Sequence, residues 1–217
     1  MRLVIGNRNY SSWSLRAWLA LRFMDLDPEI VRIPLDTPEF GAQIREYSDA
    51  ACVPVLLDGD VTIWDSLAIC EYAAERTGSG WPMDEALRAR ARAAVCEMHS
   101  GFAALRSELP MNIRARRRVD WSAAAERDIE RITQLWCEAL SAHDGTEPGL
   151  FGTPGIPDAF FAPVVFRFRS YGVPTPELCA PWIEWLLSEP RLAPWIDEAE
   201  REREVLEIEE RGAPLDA

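Results

Sequence analysis

The chain has 217 residues, 48% of them apolar and nine of them Trp, enough for one large domain or two small ones with a full core. Its formal net charge is −13, and all 23 basic residues are Arg; this argues against nucleic acid and anionic membrane surfaces as partners and excludes Schiff-base chemistry on a lysine. No apolar run approaches the ~20 residues of a membrane span and the N-terminus has no secretion signal, so a cytoplasmic location is expected.

Leu3-Val4-Ile5 reads as a first strand. Asn9-Tyr10-Ser11-Ser12-Trp13-Ser14-Leu15-Arg16 follows, and Leu15, Trp18, Leu19 and Phe23 recur at helical spacing. Two hydroxyls therefore stand in a strand-to-helix turn. Unpaired N–H groups and the helix dipole stabilise an anion there. Ser11 and Ser12 read equally as plain helix caps. Ile30 to Pro34 reads as a second strand, with a short helix after it. Ala51-Cys52-Val53-Pro54 leads into a hairpin, Val55-Leu56-Leu57, Asp58-Gly59-Asp60, Val61-Thr62-Ile63-Trp64. A proline placed just before a strand fits a cis bend that turns the preceding backbone outward. Asp65-Ser66 opens a helix with Ile69, Cys70 and Ala73 on one face.

Composition shifts at Thr77-Gly78-Ser79-Gly80-Trp81-Pro82, after which strand signals nearly vanish. The reading is an α/β domain over residues 1–80 and an all-helical domain over 85–217. In the second, Ala86 to Arg106 reads as one long helix. Asp120 caps another, carrying Ile129, Ile132, Trp136 and Leu140. Phe160, Phe161, Val164, Val165 and Phe168 form an apolar stripe, as do Leu178, Trp182, Trp185 and Leu186. Asp197 to Glu210 is acidic and reads as a solvated helix or tail. The arginines at 88, 90 and 92 and at 114, 116, 117 and 118 read as a solvated face and loop; the alternative sets one beside an active cleft. Met98, Phe102, Met111 and Asn112 line that cleft or belong to the core.

The five Cys are odd in number and widely spaced, without a CxxC, which fits free thiols in a reducing compartment. The two histidines, His99 and His143, have no ligand partners at metal spacing, so no metal is expected. No GxSxG is present.

A βαβαββα unit, with an anion site at its first helix and Val-Pro before its hairpin, has the thioredoxin-like arrangement. Together with the helical second half, the chain resembles the cytosolic glutathione transferases over essentially its whole length. Ser11-Ser12-Trp13-Ser14-Leu15-Arg16 resembles the Ser-Ser-x-Ser-x-Arg pattern of the serine-type, zeta-like and related bacterial members. Val53-Pro54 resembles the cis-proline element and Asp65-Ser66 the acidic-Ser pair. Gly155-Ile156-Pro157-Asp158 through Pro163 resembles the capping segment of the long buried helix of the second domain.

The resemblance implies glutathione as co-substrate. Ser11, with Ser12 beside it, would be the catalytic hydroxyl at the glutathione sulfur; Tyr10 is the alternative donor, as in tyrosine-type members. Val53, at the cis Pro54, would pair its backbone with the cysteinyl group. Asp65 and Ser66 would hold the γ-glutamyl end. A basic residue that meets the glycyl carboxylate is replaced here by Cys52, and Arg45 is the expected substitute. The chemistry is affordable: a free thiol has a pKa of ~8.5, and lowering it by ~2 units takes about 2.7 kcal/mol. One charge-assisted hydrogen bond of roughly 1.5–3 kcal/mol and a helix N-terminus of ~0.3–1 supply that. The implied activity is conjugation of the thiolate to a hydrophobic or acidic electrophile. Its competitors are a glutathione-dependent cis–trans isomerase of the maleylacetoacetate type and a non-catalytic glutathione-binding protein. The resemblance also implies a homodimer, for which the Tyr72–Ala73 and Ala94 surfaces are candidates.

Overall fold

The computed structural model describes residues 1–215. Four strands, β1 (Arg2–Ile5), β2 (Glu29–Arg32), β3 (Val55–Asp58) and β4 (Val61–Trp64), form a sheet in the order β2-β1-β3-β4. β2 runs parallel to β1, whereas β3 and β4 are antiparallel to their neighbours. The 2-residue period of the strands divides the core. Leu3, Ile5 and Leu56 face α1 (Ser12–Phe23) and α3 (Ser66–Thr77), while Val4 and Val55 face Ile33 and the helix α2 (Phe40–Arg45). The hairpin turns on Gly59 at φ +59°, and the Val53–Pro54 peptide is cis. The second strand ends at Arg32, short of Pro34, which has no N–H to offer a ladder.

The helical half comprises α4 (Glu85–Ser100), α5 (Ala103–Glu108), α6 (Ala123–Leu140), α7 (Ile156–Tyr171), α8 (Ala180–Ser188) and α9 (Ala193–Arg201). A thioredoxin-like domain followed by a helical one is thus the observed architecture. α7 is buried nearly all round and packs on α1, so it forms the joint between the halves. Ile69, Cys70 and Ala73 are fully buried, as the spacing predicts.

Gly155 shows why the α7 cap lacks a hydroxyl. A Cβ there would lie 2.4 Å from the carbonyl oxygen of Gly80, which also accepts the Ile156 N–H at 2.9 Å. The segment between the halves therefore rests on the bare backbone of the cap. Gly155→Ser is expected to separate these backbones and lower stability by about 1–3 kcal/mol, read as a fall in urea midpoint at unchanged slope.

Several sequence expectations are corrected. The helix expected over Ala86–Arg106 breaks at Gly101–Phe102, where Phe102 takes φ +57° and α5 restarts with the Leu105 N–H bonded to Asp128 Oδ2 at 2.9 Å. Hydrophobic periodicity does not register a single left-handed residue. Ser122, not Asp120, caps α6, accepting from the Ala124 and Ala125 N–H groups. Met98, Phe102, Met111 and Asn112 all belong to the core. Ala73 and Ala94 are buried within the monomer, and Tyr72 beside Ala73 is partly buried.

The largest correction concerns the acidic end: Asp197, Glu198 and Glu200 are exposed on the helix α9, but from Glu202 on the segment is fastened to the protein. The carboxylate of Glu202 accepts the N–H groups of Arg8 at 2.7 Å and Asn9 at 3.1 Å. Arg32 pairs with Glu204 at 2.6 Å. Arg114 donates to the carbonyls of Glu202 and Glu204, and Arg117 pairs with Glu210. Two short strands, β5 (Arg117–Arg118) and β6 (Ala213–Pro214), then pair antiparallel. Residues 202–214 thus strap the helical half to the first turn of the chain, and the arginines at 114 and 117 hold that strap. Farther away, Arg88 donates to the carbonyls of Pro82 and Met83.

Candidate functional site

The β1–α1 turn and the loop before β3 meet at the joint between the halves and enclose a cleft of about 490 Å3. Tyr10, Ser11, Ser12 and Trp13 form one wall, Ala51, Cys52 and Val53 another. Arg106, Arg167 and Glu209 enter from the helical half and the strap.

Ser11 is the N-cap of α1, with its Oγ 3.4 Å from the Ser14 N–H. The Ser11 and Ser14 hydroxyls lie 2.7 Å apart, and Ser14 Oγ accepts the Gly6 N–H at 3.1 Å. Ser11 O–H donates to Ser14 Oγ, so rotation about its Cβ–Oγ bond is what brings its proton round to a ligand in the cleft. Ser12 is the first helical residue, and its Oγ accepts from Arg167 Nη2 at 3.3 Å. Tyr10 is committed elsewhere: its hydroxyl donates to Glu210 at 2.7 Å and accepts from Arg114 at 3.0 Å. Burial and the Glu210 bond hold its phenol above the ordinary value.

Val53 precedes β3, whose ladder begins at Val55. Cys52 is exposed, and desolvation followed by the Asp65 charge raises its thiol above the ordinary value, which keeps it protonated and a poor nucleophile. Asp65 caps α3 at φ +76°, its Oδ1 accepting from Leu67 at 2.8 Å and Ala68 at 3.3 Å. Its Oδ2 lies 3.1 Å from His99 Nε2, and the His99 ring stands edge-on to Trp13 with centroids 5.3 Å apart. Ser66 is almost fully buried, and its Oγ has no partner among the described residues. An orphaned buried hydroxyl beside an acidic cap fits the amino-acid end of a peptide ligand. Arg45 does not join the group: it is exposed on α2 and donates to its own helix at Gly41 O, 2.8 Å away.

The sequence assigned no role to three arginines. Arg167, on α7, is 3% exposed and donates to Leu109 O at 2.6 Å as well as to Ser12, with its Nε unpartnered. Arg106 donates to His99 O at 3.2 Å and lies 5.4 Å from the centre of the Trp13 ring. Arg16 stacks on the same ring at 4.3 Å and is fully buried. Burial, then Arg167 and Arg106, bring its guanidinium down to about 9; burial brings Arg167 down to about 10. Arg16 belongs to the quoted Ser-Ser-x-Ser-x-Arg pattern. Nothing local marks the other two.

Residues 10–76 match the family model for the glutathione S-transferase N-terminal domain. A dichloromethane dehalogenase of Methylophilus leisingeri is 38% identical over 60 residues, which are 27% of this chain and 22% of that protein. The match therefore spans about a fifth of the curated relative. Among solved structures, a Burkholderia glutathione transferase homologue with bound glutathione superposes with a TM-score of 0.71 at 24% identity, covering 93% of this chain and 98% of the other. The theta-class enzyme of Xanthomonas axonopodis pv. citri with glutathione bound gives 0.62 at 20%, covering 89% and 96%. The tau-class enzyme of mango gives 0.69 at 18%, covering 92% and 94%. The N-terminal domain thus carries the glutathione S-transferase family pattern, and the chain as a whole has that fold. Among the described residues no helix is long and apolar enough to cross a membrane, and no cluster of three or more His, Cys, Asp or Glu could hold a metal.

Proposed function

We propose that the chain is a serine-type glutathione transferase, with the zeta-like branch favoured by its Ser-Ser-x-Ser-x-Arg motif. The observation that carries the reading is the Ser11 hydroxyl, backed by Ser14 and Gly6, at the N-terminus of α1 and across from Val53. Glutathione supplies the nucleophilic sulfur. Ser11 donates a hydrogen bond to the thiolate, and the α1 N-terminus adds its positive end. Val53 offers backbone groups to the cysteinyl unit. Asp65 and Ser66 hold the γ-glutamyl end, with His99 fixing the free oxygen of Asp65. Cys52 and the distant Arg45 leave the glycyl carboxylate without the basic partner common in the family, so affinity for glutathione is modest.

With a chlorinated aromatic electrophile, the thiol proton passes to solvent and the sulfur electron pair forms a carbon–sulfur bond. The carbon–chlorine bond then breaks, and its pair leaves with chloride. The protein works as a homodimer in the cytoplasm in this reading. Retention on immobilised glutathione, followed by appearance of the thioether, tests it. Binding without turnover makes the chain a glutathione-binding protein; turnover of a cis-configured substrate with no conjugate released makes it an isomerase. Neither binding nor turnover overturns the reading.

A further inference from the structure

We propose that Cys137 and Cys179 are a reversible disulfide site, closed by a peroxide, that clamps α8 onto α6 behind the buried helix α7. The two thiols are free, and their sulfurs lie 3.8 Å apart. A disulfide sets the sulfurs at ~2.05 Å, so the bridge requires an approach of about 2 Å. Cys137 stands in the last turn of α6, and Cys179 ends the three-residue 3-10 helix Glu177–Cys179 that feeds α8. An irregular stretch, residues 173–176, precedes that short helix. The approach is therefore taken up by loop backbone and by rotation of the two side chains. The place is consequential. Trp136, next to Cys137, meets Trp182 with ring centres 4.9 Å apart, and Trp182 bonds Asp158 in the first turn of α7 at 2.8 Å. A bridge from 137 to 179 closes a loop that contains the whole of α7.

A single buried cysteine packs as a small apolar residue. Here two meet face to face, and they differ in access. Cys179 is fully buried, and burial followed by the bond to Cys137 pushes its thiol up to about 12, so it keeps its proton. Cys137 is half-buried and within reach of a small oxidant. No third His, Cys, Asp or Glu joins them at metal-binding range among the described residues. Cys137 therefore reacts first. Its thiolate attacks one oxygen of hydrogen peroxide, the oxygen–oxygen bond breaks, and the released hydroxide takes up the proton that Cys137 had lost. Cys137 is left as the sulfenic acid. The Cys179 sulfur then attacks the Cys137 sulfur. The sulfur–oxygen bond breaks, and the hydroxide leaves as water with the Cys179 proton. Two thiols and one peroxide give one disulfide and two waters; a dithiol reverses the bridge by exchange.

The test treats the full reduced chain with a near-stoichiometric amount of hydrogen peroxide. The expected results are a mass lower by two hydrogens, a Cys137–Cys179 cross-link in the non-reduced peptide map, and full reversal by dithiothreitol. The oxidised chain melts higher by roughly 5–10 °C, which is what closing a loop of this length adds less the cost of bringing the sulfurs together. Cys137→Ser, at the half-buried position, gives neither the cross-link nor the rise. Cys179→Ala leaves a sulfenic acid at Cys137, which dimedone captures. Circular dichroism checks both variants, and Cys137→Ser decides alone if the buried Cys179→Ala does not fold. A cross-link that uses Cys52, Cys70 or Cys96, or one that forms only in urea, overturns the proposal. So does Cys137 recovered as sulfinic acid with Cys179 still a thiol. A bridge that leaves the melting temperature unchanged or lower overturns it too. None of these readouts involves glutathione, so the result stands apart from the transferase reading.

Discussion

Ser11→Ala is expected to raise the pKa of bound glutathione by roughly 1–2 units, the worth of one charge-assisted hydrogen bond. The rate at pH 7 falls about tenfold or more, because the thiolate fraction falls in step with the shift. Activity partly returns at alkaline pH, where the thiol ionises unaided. The thiolate absorbance against pH reads this directly. The substitution also removes the cap of α1, and stability falls by ~1 kcal/mol. Sequence alone suggested that Ser12 would take over the cap, but Ser12 lies inside the helix with its oxygen turned to Arg167. An unchanged titration in Ser11→Ala, with the loss appearing in Ser12→Ala, would transfer the catalytic assignment to Ser12.

Asp158→Ala is expected to cost on the order of 3–5 kcal/mol. The carboxylate is fully buried and accepts three N–H bonds: Leu150 at 2.8 Å, Gly155 at 2.9 Å and Trp182 Nε1 at 2.8 Å. Its loss strands three donors at the start of the helix that joins the halves. Asp158→Asn keeps one oxygen but turns an amide N–H on the Gly155 N–H, for a cost of roughly 1–3 kcal/mol. Burial pushes this carboxyl up to about 6, against the pull of the three donors. The unfolded value is ~3.9, so between these two values the folded state binds more protons than the unfolded one. Its contribution therefore favours the fold below pH ~4 and is lost as pH rises to about 6. Urea midpoints across that window should show the slope in the wild type and lack it in Asp158→Asn.

Local signals were readable in the sequence. The Ser11 turn, the Asp-Gly hairpin, Val53-Pro54, the Asp65 cap and the Gly155–Asp158 cap each rest on residues within a few positions of one another. Backbone geometry at that range follows from residue type. The second wall of the cleft was not readable. Arg106 and Arg167 lie on separate helices, and each in isolation reads as an ordinary helical arginine. Only the packing of α7 against α1 sets them beside Ser12. The strap was misread for a related reason. A run such as Glu202-Arg203-Glu204 looks solvated when its partners, the Arg8 and Asn9 amides, are nearly two hundred positions away.

The strap also imposes an order on synthesis. Residues 202–214 leave the ribosome after every group they bind: the amides of Arg8 and Asn9, the Tyr10 hydroxyl, Arg32, Arg114 and Arg117. Domains form from the N-terminus as the chain is made. The nascent sheet with its serine turn therefore folds first, with the amides of Arg8 and Asn9 bonded to water. Glu209, the acidic edge of the cleft, takes its place only when translation has passed the last helix, so the fully walled cleft exists only in chains completed at least that far.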